Sequence, residues 1–187
     1  MKYAVSTILF FAISTAVLFS CAKWKDPAPQ DLGLTNPYCN DPAAVNYNWG
    51  FPGRADNSVC FYPNSLFIGT YMFYDSVYRD TLFVGADSTI ITLSSIDPDP
   101  THSKLNLTGI CGLNIKLTAL PGYQATVDTL IGDTSTITQG QHYCGVHDTL
   151  NGIISRSRLD SPTVLRMSFL VMTDSVIATH NGTAKKL

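Results

Sequence analysis

The chain of 187 residues contains no glutamate; all 14 of its acidic residues are aspartate, and only 14% of positions carry a charge. Without Glu the commonest general acid of glycoside cleavage is missing, leaving Asp as the sole substitute. Neither Gly-x-Ser-x-Gly, nor a phosphate-cradling glycine loop, nor His-Glu-x-x-His, nor a repeated Cys-x-x-Cys occurs. The familiar esterase, nucleotide-binding, zinc-protease and thiol-redox signatures are therefore absent. Charges are scattered and the net charge is −2 at pH 7, so no basic patch invites nucleic acid. No apolar run reaches the ~20 residues that a membrane-spanning helix needs.

The longest apolar run, Ala4–Phe19, covers about 16 residues and follows Lys2. A short apolar segment behind a positive charge and ahead of polar sequence is the pattern of a secretory signal. Leu18-Phe19-Ser20-Cys21 resembles the bacterial lipobox, with Phe19 standing where a small or polar residue is usual. The resemblance implies cleavage before Cys21 and a lipid on its sulfur. Two or more acyl chains suffice for stable anchoring.

Cysteine number agrees with this. Cys21, Cys39, Cys60, Cys111 and Cys144 make an odd set, which becomes even once Cys21 carries lipid. Secretion puts the other four where disulfides persist. Four cysteines allow three connectivities; Cys39–Cys60 with Cys111–Cys144 is favoured, because each pair lies within one compositional segment.

Four segments follow: a signal over 1–20, a lipidated tether with three prolines over 21–37, a cysteine-bounded module over 38–63, and a domain over 64–187. The module is too small for an ordinary core and depends on its disulfide. Its pattern Cys39-x-Asp41-Pro42-x-Ala44-x-Asn46-Tyr47-Asn48, closing on Asp56-Asn57-Ser58-x-Cys60, resembles a short module of secreted Bacteroidota proteins. That resemblance implies an extracytoplasmic setting and carries no catalytic role.

Ser and Thr together form nearly a fifth of the chain, and Val, Ile, Tyr and Phe are abundant. Strand formers thus outweigh helix formers, and an all-β fold is expected, an antiparallel barrel or sandwich. Strands are predicted over 66–74, 81–84, 89–94, 104–107, 113–119, 125–130, 136–138, 149–156, 164–173 and 175–179, with turns at Gly85-Ala86-Asp87 and Pro121-Gly122 among others. Over 164–173, Leu165, Met167, Phe169 and Val171 alternate with Val164, Arg166, Ser168, Leu170 and Met172, which marks a half-buried strand. Phe67-Ile68-Gly69-Thr70-Tyr71 and the meander after it resemble the lipocalin-like β-domains of small Bacteroidota lipoproteins.

Candidate chemistry is sparse. His142, Cys144 and His147 form one ligand-rich stretch able to hold Zn²⁺, but Cys144 is better read as oxidised with Cys111. Asp41 with Asp56, and Asp97 with Asp99, are weak calcium candidates without the spacing of a calcium loop; ordinary turns account for them. Asp75, Asp80, Asp87, Asp128, Asp133, Asp148 and Asp174, each followed by Ser or Thr or close to one, read as strand-end markers. Phe67, Tyr71, Phe73, Tyr74 and Phe83 read as core ahead of cavity lining.

No catalytic residue and no cofactor is expected. The chain reads as an outer-membrane lipoprotein, at the periplasmic face or the cell surface, acting as a binding or structural component. Its partners would be the membrane through Cys21, and a protein, glycan or small apolar ligand. A lipocalin-like carrier of a small apolar ligand is the alternative; a hydrolase of unrecognised type is the third reading.

Overall fold

The computed structural model describes residues 35–129, 140–144, 148–158, 163–173 and 176–187. The signal, Cys21, most of the tether, the strand expected at 136–138 and His147 lie outside the described residues.

Alternation of period two builds the sheet, because successive side chains leave opposite faces of a strand. Leu165, Met167, Phe169 and Val171 are buried, as are Leu105 and Leu107, and Ile115, Leu117 and Ala119. The described strands are β1 (Pro37–Tyr38), β2 (Arg54–Ala55), β3 (Gly69–Arg79), β4 (Leu82–Ser95), β5 (Lys104–Thr108), β6 (Ile115–Leu120), β7 (Gln124–Val127), β8 (Gln141–His142), β9 (Thr149–Ser155), β10 (Val164–Thr173) and β11 (Val176–Lys186). From β3 to β7, and on through β9, β10 and β11, each strand pairs antiparallel with the next. β11 then returns to β3, from Ala178↔Arg79 to Lys186↔Tyr71. Eight strands therefore close into an up-and-down barrel, which leaves no long edge exposed. β8 is a short addition on β9.

The wall is uneven. β4 pairs with β3 along nearly its whole length, yet with β5 only through Thr92–Ser95. Strand directions put the turn at 80–81, the loop 109–114 and the segment 140–144 at one end, the mouth. The loops 96–103 and 121–123 and the residues 156–158 lie at the other end, the base.

The base is closed. Phe67, Tyr71, Leu93, Leu105, Leu117, Ile154 and Leu165 are almost wholly buried, and Val45, Phe61 and Tyr123 pack against that core. The Tyr71 hydroxyl donates to the Phe67 carbonyl at 2.9 Å. Arg156 donates to the Leu66 carbonyl at 2.8 Å. The Arg158 guanidinium lies within 5.5 Å of the Tyr123 ring centre and 5.3 Å of the Trp49 ring centre. The cysteine-bounded module thus caps the base, and Asn36–Leu187 is one compact unit. Both favoured disulfides are present: Cys39–Cys60 within the cap, with Cα atoms 4.9 Å apart, and Cys111–Cys144 at the mouth, 5.2 Å apart.

Three expectations need correction. Gly85-Ala86-Asp87 is not a turn but the interior of the 14-residue β4, where Ala86 faces Ser76 and Asp87 faces Asp75 on β3. Pairing with a long neighbour overrides the low strand propensity of Gly and Asp. Asp75 likewise sits in the middle of β3 instead of ending it. Tyr74 and Phe83 join neither core nor cavity; they face outward, about half exposed, and Phe83 stacks edge-on against Tyr78.

Candidate functional site at the barrel mouth

The inward residues of β3 read upward from the base as Tyr71, Phe73, Asp75 and Val77; those of β4 read downward as Asp87, Thr89, Ile91 and Leu93. The apolar series is broken at the same level on both strands. There the packed core gives way to a pocket of about 260 Å³. Phe73, Leu150 and Phe169 line it as apolar surface, Ile110 and Cys111 enter from the β5–β6 loop, and Tyr143 from the segment after β8.

Gln141 positions Tyr143. Its side chain is buried and works like a strand edge: Oε1 accepts from the Lys116 N–H at 2.9 Å, and Nε2 donates to the carbonyls of Lys116 at 2.5 Å and Asp128 at 2.9 Å. Gly140 precedes it with φ +94°, and a Cβ there would run into the Leu150 carbonyl, so only glycine fits. Beyond it the Tyr143 N–H donates to the Asp148 carbonyl at 2.9 Å, and Cys144 is bonded to Cys111. Two backbone anchors and a covalent one hold this wall.

The polar centre is a pair of residues far apart in sequence. His180 Nδ1 on β11 meets Asp75 Oδ2 at 2.5 Å, and the two side chains are only 17% and 12% exposed. Gly182, two residues on, lies opposite Asp75; a Cβ there would strike the Tyr74 carbonyl and the Phe73 ring. Tyr143 stands edge-on to the imidazole, ring centres 6.2 Å apart. Burial pushes the Tyr143 hydroxyl above its ordinary value, and the charges of Asp75 and Asp148 push it further. That hydroxyl stays neutral across physiological pH.

Asp75 Oδ1 is buried and has no hydrogen-bond partner among the described residues. An unsatisfied buried acceptor costs about 1–3 kcal/mol. Asp75 also faces Asp87 directly across the β3–β4 ladder, and like charges so placed repel. Packing alone does not account for such an arrangement. Unpaired acceptors and opposed carboxyls are retained where a site uses them.

The residues singled out from sequence lie elsewhere. Asp41 Oδ1 accepts from the Ala43 N–H at 2.9 Å and its Oδ2 from the Tyr62 hydroxyl at 2.9 Å, bonds that hold its carboxyl below the ordinary value. Asp56 Oδ1 accepts from the Ser58 hydroxyl at 2.6 Å and the Ser58 N–H at 3.0 Å, capping the 3-10 turn Asn57–Val59. Asp99 accepts from Thr101, Ser103 and Lys104 in the β4–β5 loop. Each of these carboxyls is engaged by hydrogen bonds, largely within its own turn, and no three metal-ligating side chains converge among the described residues. Cys144 is consumed by its disulfide, which removes the thiolate from the His142–Cys144 stretch.

Sequence reasoning missed Asp75, His180 and Tyr143. The available signal was the parity of Asp75 and Asp87, which share the inward face with Tyr71, Phe73, Ile91 and Leu93. Comparison with protein families, with curated proteins and with solved structures finds no match to this chain.

Proposed function

We propose that this chain is a lipoprotein tethered through Cys21 to the bacterial outer membrane, whose barrel binds a small ligand at its mouth without transforming it. One observation carries the reading: a closed eight-stranded barrel is packed at its base and unfilled at its mouth. An eight-stranded barrel has room either for its own side chains or for one small ligand; here it divides its interior between the two. A volume of about 260 Å³ falls just below the range of drug-sized sites, so the ligand is small.

Protein extracted from cells in mild detergent should carry a bound small molecule in native mass spectrometry. Thr89→Trp, which puts an indole into the pocket, should release it. Bare protein in the unaltered form would sink the binding reading. The anchor is tested separately: Cys21→Ser should move the protein out of the membrane fraction.

The Asp75–His180 pair favours a hydrolytic reading as the second choice, because a carboxylate-held imidazole is a general base. A nucleophile is what it lacks. Ser88 and Thr89 line the pocket, but among the described residues neither hydrogen-bonds His180. Turnover of small esters that vanishes in His180→Gln would establish it.

A further inference from the structure

The pocket has a marked polarity. Its floor is apolar, through Phe73, Leu150 and Phe169, while its upper rim carries Asp75 on β3 and Asp87 on β4, directly opposed. No Lys or Arg is among the residues lining it. Among the described residues, His180 is the one lining group able to carry positive charge. Its Nδ1 meets Asp75 Oδ2, while Asp75 Oδ1 is left with no partner among the described residues. Two carboxyls against one imidazole among the described lining residues make the rim a place that favours a cation.

A buried acceptor without a donor and two facing carboxyls share one remedy: a cationic hydrogen-bond donor between the two strands. A water would satisfy the acceptor but not the charge, and a metal would need a third ligand, which is absent among the described residues. An ammonium group has three donors and one positive charge. The apolar floor fits a compact hydrocarbon or aromatic body attached to it.

We infer that the mouth pocket takes a small primary amine, its ammonium group between Asp75 and Asp87 and its apolar body on Phe73, Leu150 and Phe169. The inference rests on the ligand-binding reading proposed for the mouth and narrows it to one chemical class. Asp75 Oδ1 accepts one ammonium proton, Asp87 contributes charge from the rim, and His180 orients Asp75 from behind.

The test uses three probes of similar shape, 2-phenylethylamine, 2-phenylethanol and 3-phenylpropionate, titrated into the isotope-labelled protein while amide NMR signals are followed. The amine should shift signals of Ile110, Tyr143 and His180, the alcohol should bind at least tenfold more weakly, and the carboxylate should not bind. Asp75→Asn should weaken the amine at least tenfold and leave the alcohol unchanged. Asp87→Asn, in the more exposed position, serves as the second variant if Asp75→Asn fails to fold. Should the alcohol or carboxylate bind the same residues as tightly as the amine, the amine inference falls while ligand binding at the mouth stands. A copurified ligand without a basic nitrogen would overturn it in the same way. If no probe shifts any pocket signal and no ligand copurifies, both the inference and the binding reading are overturned.

Discussion

Replacing Gln141 with methionine isolates what holds the wall of the pocket. Methionine keeps the length and nearly the volume of the side chain, so no cavity opens and only hydrogen bonds are lost. Three disappear: the Lys116 N–H to Oε1, and Nε2 to the Lys116 and Asp128 carbonyls. The Lys116 carbonyl retains the Asp128 N–H at 2.9 Å, but the Lys116 N–H and the Asp128 carbonyl lose these partners. Taking each bond at about 1 kcal/mol net, the variant should be destabilised by about 3 kcal/mol. Urea unfolding with both disulfides intact measures this, as a lowered midpoint at unchanged slope. Because the lost bonds lie at β8 and the edge of β6, amide exchange at Lys116 should also accelerate. A loss under about 0.5 kcal/mol, with Lys116 as protected as before, would refute the view that Gln141 joins this wall to the barrel.

Breaking the Cys39–Cys60 bond by paired serine substitution frees a loop with a sequence separation of 21 and should cost about 3 kcal/mol, read by thermal or urea unfolding. Asp99→Ala should destabilise by about 1 kcal/mol near neutrality, because its carboxyl gathers the N–H groups of Thr101, Ser103 and Lys104. Desolvation raises the Asp99 carboxyl, but the hydrogen bonds outweigh it and hold it at about 2, below the ordinary 3.8. Its contribution is therefore fully present above about pH 4 and is lost as the pH falls toward 2, so wild type and variant should converge in acid. Equal differences between the two at both ends of that range would contradict this. Gly182→Ala should lose about 2–3 kcal/mol in thermal unfolding, because its Cβ would meet the Tyr74 carbonyl and lie 2.7 Å from Phe73 Cε2.

Much of the fold is legible from short range. The strand expected over 164–173 is β10 end to end, with the expected residues buried, because alternation is a property of neighbouring residues and reports one half-buried face. Both disulfides join the cysteines of one segment, as their placement suggested. β4 was harder: Gly85 and Asp87 read as a turn because local propensity knows nothing of the partner strand. The 11-residue β3 beside them supplies the hydrogen bonds that keep the chain extended.

What the sequence alone determined was the all-β character and the faces of the regular strands; among three possible cysteine pairings it favoured one, which the structure has. Barrel rather than sandwich was decided only in three dimensions, since closure depends on the β11–β3 pairing of residues about a hundred positions apart. The candidate site was decided the same way. Asp75 and His180 are separated by 105 residues, and no local pattern marks them as partners. An inward aspartate is visible in the alternation of β3; that its second oxygen has no partner among the described residues, above a floor with room for a ligand, is a property of the closed barrel alone.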